Sequence, residues 1–211
     1  AELLSYFPNT VFNDKGLNFD QNSFPNFIAE ASAVIVGLEP INEVVLKHCP
    51  KLEFISKFGV GLDNINEDAI KKYNVGLGWS GGLNRRSVAE MVLCYMIGLS
   101  RNIFFSSRKL IIDNDWNKEG GEDLSSKIIG IIGVGYIGKD VIKLLKPFGC
   151  KIMVNDIIDQ SDFYNENSLV FSSKEDIFEQ SDIISVHTPL DNTTRGLFNR
   201  KVFQKMKKDS Y

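Results

Sequence analysis

Residues 128–138 read IIGIIGVGYIG, and Asp156 stands eighteen positions beyond the last of those glycines, at the end of KIMVND. An apolar run, a glycine turn, and then Ile137, Val141, Leu144, Leu145 and Phe148 on one helical stripe predict a strand feeding a helix, with Gly149 closing it. A second apolar run follows at 151–155. Two strands joined through a helix are parallel, so this segment is committed to a βαβ unit. Each glycine has its own task. Gly133 permits the tight turn out of the strand, Gly135 leaves the backbone open to an incoming pyrophosphate, and Gly138 lets the helix close on the strand. The helix beginning near Tyr136 then points unpaired N–H groups and its positive dipole end at the phosphates. The ligand that such a turn accepts is a dinucleotide.

Asp156 lies at roughly the 20-residue spacing at which an acid meets the adenosine ribose. A carboxylate there accepts hydrogen bonds from both ribose hydroxyls and repels a 2′-phosphate. Ile157 and Ile158 supply no arginine to hold such a phosphate, which predicts NAD rather than NADP.

The rest of the chain repeats the strand–helix alternation. Apolar runs at 33–36, 53–56 and 75–77 are expected strands, with helices at 41–48 and 64–72, the second capped by Asp63 or Asn64. GLGWSGGLN then breaks the pattern. Residues 86–99 are apolar on nearly every face, which predicts a helix buried all round between domains or subunits. Phe104, Phe105 and residues 110–112 continue it in a more amphipathic way, and DNDWNKEGGED is a polar, turn-rich loop. Further strands are expected at 169–171 and 183–186. The fold class is α/β, with two domains.

Composition excludes some partners. A net charge of −3 leaves no basic footprint for nucleic acid. Cys49, Cys94 and Cys150 share no CxxC spacing and are expected as buried free thiols, not as a disulfide frame or metal site. AELLSYFPNT has no basic-then-apolar leader, and the most apolar stretch, 88–99, carries Glu90 and is too short to span a bilayer. A cytoplasmic location without a membrane partner is the expectation.

Two further constellations sit at predicted strand ends. In KFGVGLDN, glycines flank Val60, and successive N–H groups there can form a nest for a carboxylate or phosphate, with Lys57 as a point charge. In DIISVHTPL, the carboxyl end of the strand carries His187, Thr188 and Pro189, where ligands of open α/β sheets bind. Thr188 is placed to meet the cofactor. His187 has no orienting carboxylate near it in sequence and is expected to be structural rather than a catalytic base. His48 ends a helix, where the C-terminal dipole accounts for it.

KFGVGLDNIN, NRRSVAEM, GIIGVGYIGKD and VHTPLDNTTRGL, in this order and spacing, resemble the D-isomer-specific 2-hydroxyacid dehydrogenases, phosphoglycerate dehydrogenase-like members most. The resemblance runs from Ala33 onward. It implies two Rossmann-like parallel-sheet domains with a cleft between them. Residues 1–83 would be a flavodoxin-like substrate domain, and 84–211 a doubly wound NAD-binding domain with an interdomain helix at 84–112. It implies that Val60 and Gly61 offer N–H groups to the substrate carboxylate, with Lys57 standing where phosphoglycerate members carry arginine. Tyr136 and Ile137 would line the pyrophosphate turn, and Thr188 and Pro189 would contact NAD. Ser80, Ser87 and Val88 would approach the nicotinamide end. The 86–99 helix and the arm after it would build a homodimer.

The same resemblance places the family's catalytic arginine, glutamate and histidine after residue 211, and an opening strand before residue 1. The chain is therefore expected to be part of a longer enzyme that interconverts a D-2-hydroxy acid and a 2-oxo acid, with no catalytic residue of its own. Without later strands, the 183–186 run would be an apolar sheet edge, with one sheet face short of covering helices. The alternative is a catalytically silent NAD-binding module. A Rossmann methyltransferase is disfavoured by the third glycine and by HTPL.

Overall fold

The structure, a computed structural model, describes residues 2–116 and 120–211, so three residues of the polar DNDWNKEGGED loop lie outside it. The chain divides into two compact units, Ala1–Trp79 and Ser80–Tyr211.

The first unit opens with two short helices, α1 (Glu2–Tyr6) and α2 (Phe24–Ile28). Then β1 (Ala33–Val36), α3 (Glu43–His48), β2 (Phe54–Lys57), α4 (Glu67–Lys72) and β3 (Gly76–Gly78) alternate. The three strands are parallel, in the order β1-β2-β3. Val36, Val45, Leu46 and Ile55 are wholly enclosed and hold α2, α3 and α4 on the sheet. Both crossover helices start later than the sequence predicts. Ile41 is drawn into a parallel bridge with Ile65, so Asn42 becomes the cap of α3, accepting from Val45 N–H. Neither Asp63 nor Asn64 caps α4. Asn66 does, accepting from Ala69 N–H, while Asn64 donates to Glu39 O and Gly37 O.

The second unit contains α5 (Arg85–Ser100), α6 (Ile103–Arg108) with a π-helical turn at Lys109–Asp113, β4 (Ile128–Ile132), α7 (Tyr136–Leu145) and β5 (Lys151–Asn155). It continues with α8 (Ser161–Glu166), β6 (Val170–Phe171), α9 (Lys174–Gln180), β7 (Ile183–Val186) and α10 (Arg200–Lys205). All four strands are parallel, in the order β6-β5-β4-β7. β4 is buried on both faces: α7 and α5 pack on one, and α9, with α10 behind it, on the other. Gly130 permits the second contact, since a Cβ there would meet Ile177 and Ser181 at 2.5–2.6 Å.

Within the single chain, α5 is covered on one side. Ala89 and Met96 face the core with α7, while Met91, Tyr95 and Leu99 are exposed on the opposite side. Apolar residues on every face need two burying surfaces, and the single chain supplies one. The cysteines are not all the buried thiols expected: Cys49 is buried, Cys150 is half-buried, and Cys94, on that outer side, is exposed. β7 is the edge strand of the sheet, as expected, and Tyr211 pairs with part of its outer side, donating to Asp182 O at 3.0 Å and accepting from Ile184 N–H at 2.9 Å. Among the described residues no single helix is long and apolar enough to cross a membrane.

Candidate dinucleotide site

The chain leaves β4 through α7 to β5 and β6 on one side, then returns to β7 on the other. The strand order reverses at β4, and the crevice outside the carboxyl ends of β4 and β7 is where such a sheet receives a ligand. Gly133, Val134 and Gly135 occupy one lip of it, and His187, Thr188 and Pro189 the other. The lips are in contact. A Cβ on Gly133, whose φ is +95°, would come within 2.7–2.9 Å of the backbone of His187 and Thr188. Only glycine satisfies both the left-handed backbone and that approach.

The turn leads straight into α7. Gly135 is the N-cap residue, and the Lys139 N–H bond to Gly135 O at 3.0 Å is the first rung. The N–H groups of Tyr136, Ile137 and Gly138 therefore have no acceptor within the helix and face its N-terminal end. Gly138 has a tighter constraint, since a Cβ there would lie 2.1 Å from Gly133 O. Gly135 has the opposite character, with nothing within 4 Å of its Cβ position. Open space over an extended backbone, next to a helix N-terminus, is the cradle that a pyrophosphate fits.

Asp156 follows β5 directly and is half-buried. Its Oδ2 accepts from Val134 N–H at 2.6 Å and its Oδ1 from Ile158 N–H at 2.9 Å. The acid is thus tied to the glycine turn across 22 positions, a link the sequence does not reveal. Each carboxylate oxygen retains a lone pair, so the group can still accept from ribose hydroxyls. The residues present fit a dinucleotide with a free 2′-hydroxyl.

The neighbouring side chains take supporting places. Tyr136 is exposed, and its ring lies where a Cβ on Gly82 would meet it at 2.5 Å. Arg86 reaches Asp140 of α7 at 3.1 Å. These two contacts run the start of α5, which carries the exposed Ser87 and half-buried Val88, alongside the start of α7. Ser80 is exposed at the head of this unit. His187 bonds through Nε2 to the Ser185 hydroxyl at 2.9 Å and through its backbone N–H to Ile132 O at 2.7 Å. Burial holds the imidazole below its usual range, favouring the neutral ring.

In the first unit, the Lys57 ammonium donates to Gly37 O and, at 2.8 Å, to Asn64 Oδ1. It ties the loops after β1 and β2 together and keeps one donor free for other use. Among the described residues, neither Val60 nor Gly61 N–H donates to a protein acceptor. Trp79 Nε1 donates to Val60 O at 3.1 Å. Also among the described residues, no three His, Cys, Asp or Glu side chains gather as a metal site.

Comparison with known proteins agrees with this geometry. The family described as "D-isomer specific 2-hydroxyacid dehydrogenase, NAD binding domain" matches residues 93–211, more than half of the chain. The putative 2-hydroxyacid dehydrogenase YoaD of Bacillus subtilis is 30% identical over 190 residues, covering 85% of this chain and 54% of that protein. The hydroxypyruvate reductase of Thermotoga maritima is 28% identical, over 90% of this chain and 62% of its own. The structure of an NAD-dependent formate dehydrogenase from Staphylococcus aureus in complex with NAD superimposes with a TM-score of 0.85 at 26% identity, covering 100% of this chain and 64% of that one. The chain spans about half the length of the curated relatives it matches. It belongs to the D-isomer specific 2-hydroxyacid dehydrogenases, and residues 93–211 carry that family's NAD-binding domain.

Proposed function

We propose that the protein containing this chain is an NAD-dependent oxidoreductase that interconverts a D-2-hydroxy acid and a 2-oxo acid. The observation that carries this reading is the open cradle over Gly135, set between an unpaired helix N-terminus and Asp156 in a chain of this family. NAD, when bound, supplies the hydride acceptor. In this reading, Gly133, Gly135, Tyr136, Ile137 and Gly138 receive the pyrophosphate, and Asp156 receives the adenosine ribose. Thr188, Pro189, Ser80, Ser87 and Val88 contact the cofactor further along. Val60 and Gly61 donate to the substrate carboxylate, and Lys57 fixes their loop. Relatives named hydroxypyruvate reductase and glyoxylate reductase act on small acids of this kind.

The test is NADH consumption by the full-length protein with a panel of 2-oxo acids, together with cofactor titration of Asp156→Ala. Turnover is expected, and the variant should narrow the preference for NADH over NADPH by about tenfold or more, the scale of one or two charge-assisted hydrogen bonds. An unaltered cofactor preference would remove Asp156 from the ribose site.

Exposed Tyr95, Ile103, Phe104, Phe105, Leu110, Ile111 and Ile112 make the outer side of α5 and the arm after it strongly apolar. A patch of this kind marks an association surface. We assign it to a homodimer. Ile111→Glu should sediment as a monomer where the parent sediments as a dimer, and a monomeric parent would refute the assignment.

A further inference from the structure

The carboxyl end of the first sheet has an unusual surface. Leu38, two residues beyond β1, is 90% exposed; Phe58, one beyond β2, is 80% exposed; Trp79, one beyond β3, is 46% exposed. The strand register Val36↔Lys57 and Ser56↔Gly78 places these three loops side by side. They are fixed there. Phe58 N–H bonds to Val36 O at 2.8 Å, Trp79 Nε1 reaches Val60 O at 3.1 Å, and Lys57 bridges Gly37 O and Asn64. Large apolar side chains from three neighbouring loops thus stand exposed at the end of the sheet that carries the Val60 and Gly61 N–H groups. An apolar surface with a few polar groups to one side is how a protein holds a small molecule with one polar end and one apolar end.

Charge at this end argues in the same direction. Across residues 37–41, 57–64 and 78–79 the one cation is Lys57, against two carboxylates, Glu39 and Asp63. Lys57 already spends two donors on the protein. Glu39 folds back to accept from Gly37 N–H at 2.7 Å. On these three loops a phosphate dianion would find a single remaining ammonium donor beside two negative charges, whereas one carboxylate can be met by backbone N–H groups alone.

Resting on the dehydrogenase reading above, we infer that the substrate is a 2-oxo or 2-hydroxy acid with a branched or aromatic apolar side chain, received by Leu38, Phe58 and Trp79.

The full-length protein is assayed by NADH consumption with 4-methyl-2-oxopentanoate, phenylpyruvate, glyoxylate and 3-phosphohydroxypyruvate. The first two should show kcat/KM higher by about tenfold or more, because each added apolar carbon that finds a pocket raises it about that much. Phe58→Ser and Leu38→Ser, both at exposed positions that the fold tolerates, should each lower the ratio for 4-methyl-2-oxopentanoate over glyoxylate by roughly tenfold. Adding 4-methyl-2-oxopentanoate should shift the tryptophan emission of the parent to the blue and leave that of Trp79→Phe unmoved. Preference for glyoxylate or 3-phosphohydroxypyruvate, with NADH consumed, overturns this inference and leaves the dehydrogenase reading standing. No consumption with any acid, in protein that binds NADH, overturns the dehydrogenase reading. The Trp79 emission then decides the acid's class alone, and an unmoved spectrum sinks it.

Discussion

Gly135→Val is expected to leave the thermal melt of the protein nearly unchanged while lowering NADH affinity at least about a hundredfold. Two observations make the substitution harmless to the fold. Gly135 has φ −80° and ψ −151°, an extended backbone open to any residue. Nothing lies within 4 Å of its Cβ position, so a side chain has open space to enter there. What it fills is the cradle. A branched side chain there holds the pyrophosphate away from the N–H groups of Tyr136, Ile137 and Gly138. Hydrogen bonds to a charged group contribute about 1.5–3 kcal/mol each, so losing two costs about 3–6 kcal/mol of binding, well over a hundredfold. Isothermal titration with NADH beside a melting curve reads both halves. Unchanged affinity would place the cofactor elsewhere, and a collapsed melt would show that the glycine serves the fold instead.

How much of this was legible in the sequence follows from the range of each interaction. The glycine turn is local: strand, turn and helix start lie within eleven residues, and each glycine answers a constraint set by near neighbours or by the crossover. The place of Asp156 at the end of β5, beside the glycine turn, was legible because a helix and a strand of ordinary length carry the chain back to the same end of the sheet. Its bond to Val134 N–H was not, since nothing in a carboxylate's sequence position shows which N–H it will meet. The cap of α4 was misplaced for a similar reason. Asp63, Asn64 and Asn66 all have capping side chains, and Asn64 is taken by Lys57 and by Gly37 and Glu39, the last two 27 and 25 positions away. Arg86 and Asp140 pair across 54 positions without any periodic signal. The outer side of α5 was legible only as a surface that needs covering, since composition does not report whether the same chain covers it.

The second large effect belongs to Gly138, and a control at Gly149 separates its two parts. A Cβ on Gly138 would sit 2.1 Å from Gly133 O and 3.1 Å from Gly133 C, backbone atoms that cannot rotate aside. Gly138→Ala must therefore push α7 away from the turn, an overpacking cost of about 1–3 kcal/mol or more. Gly149 closes the same helical segment with φ +69° and has nothing within 4 Å of its Cβ position. Gly149→Ala thus incurs only backbone strain, about 1–2 kcal/mol. Both variants should melt several degrees lower than the parent. They should differ in binding. Moving α7 withdraws its N-terminal N–H groups from the cradle, so Gly138→Ala should lower NADH affinity about tenfold or more, the loss of one charge-assisted bond. Strain at Gly149 lies at the far end of α7 and should leave affinity within about twofold of the parent. Equal affinities for the two variants would mean that the close approach of helix to strand serves packing alone, and that the phosphates are held by something other than the start of α7.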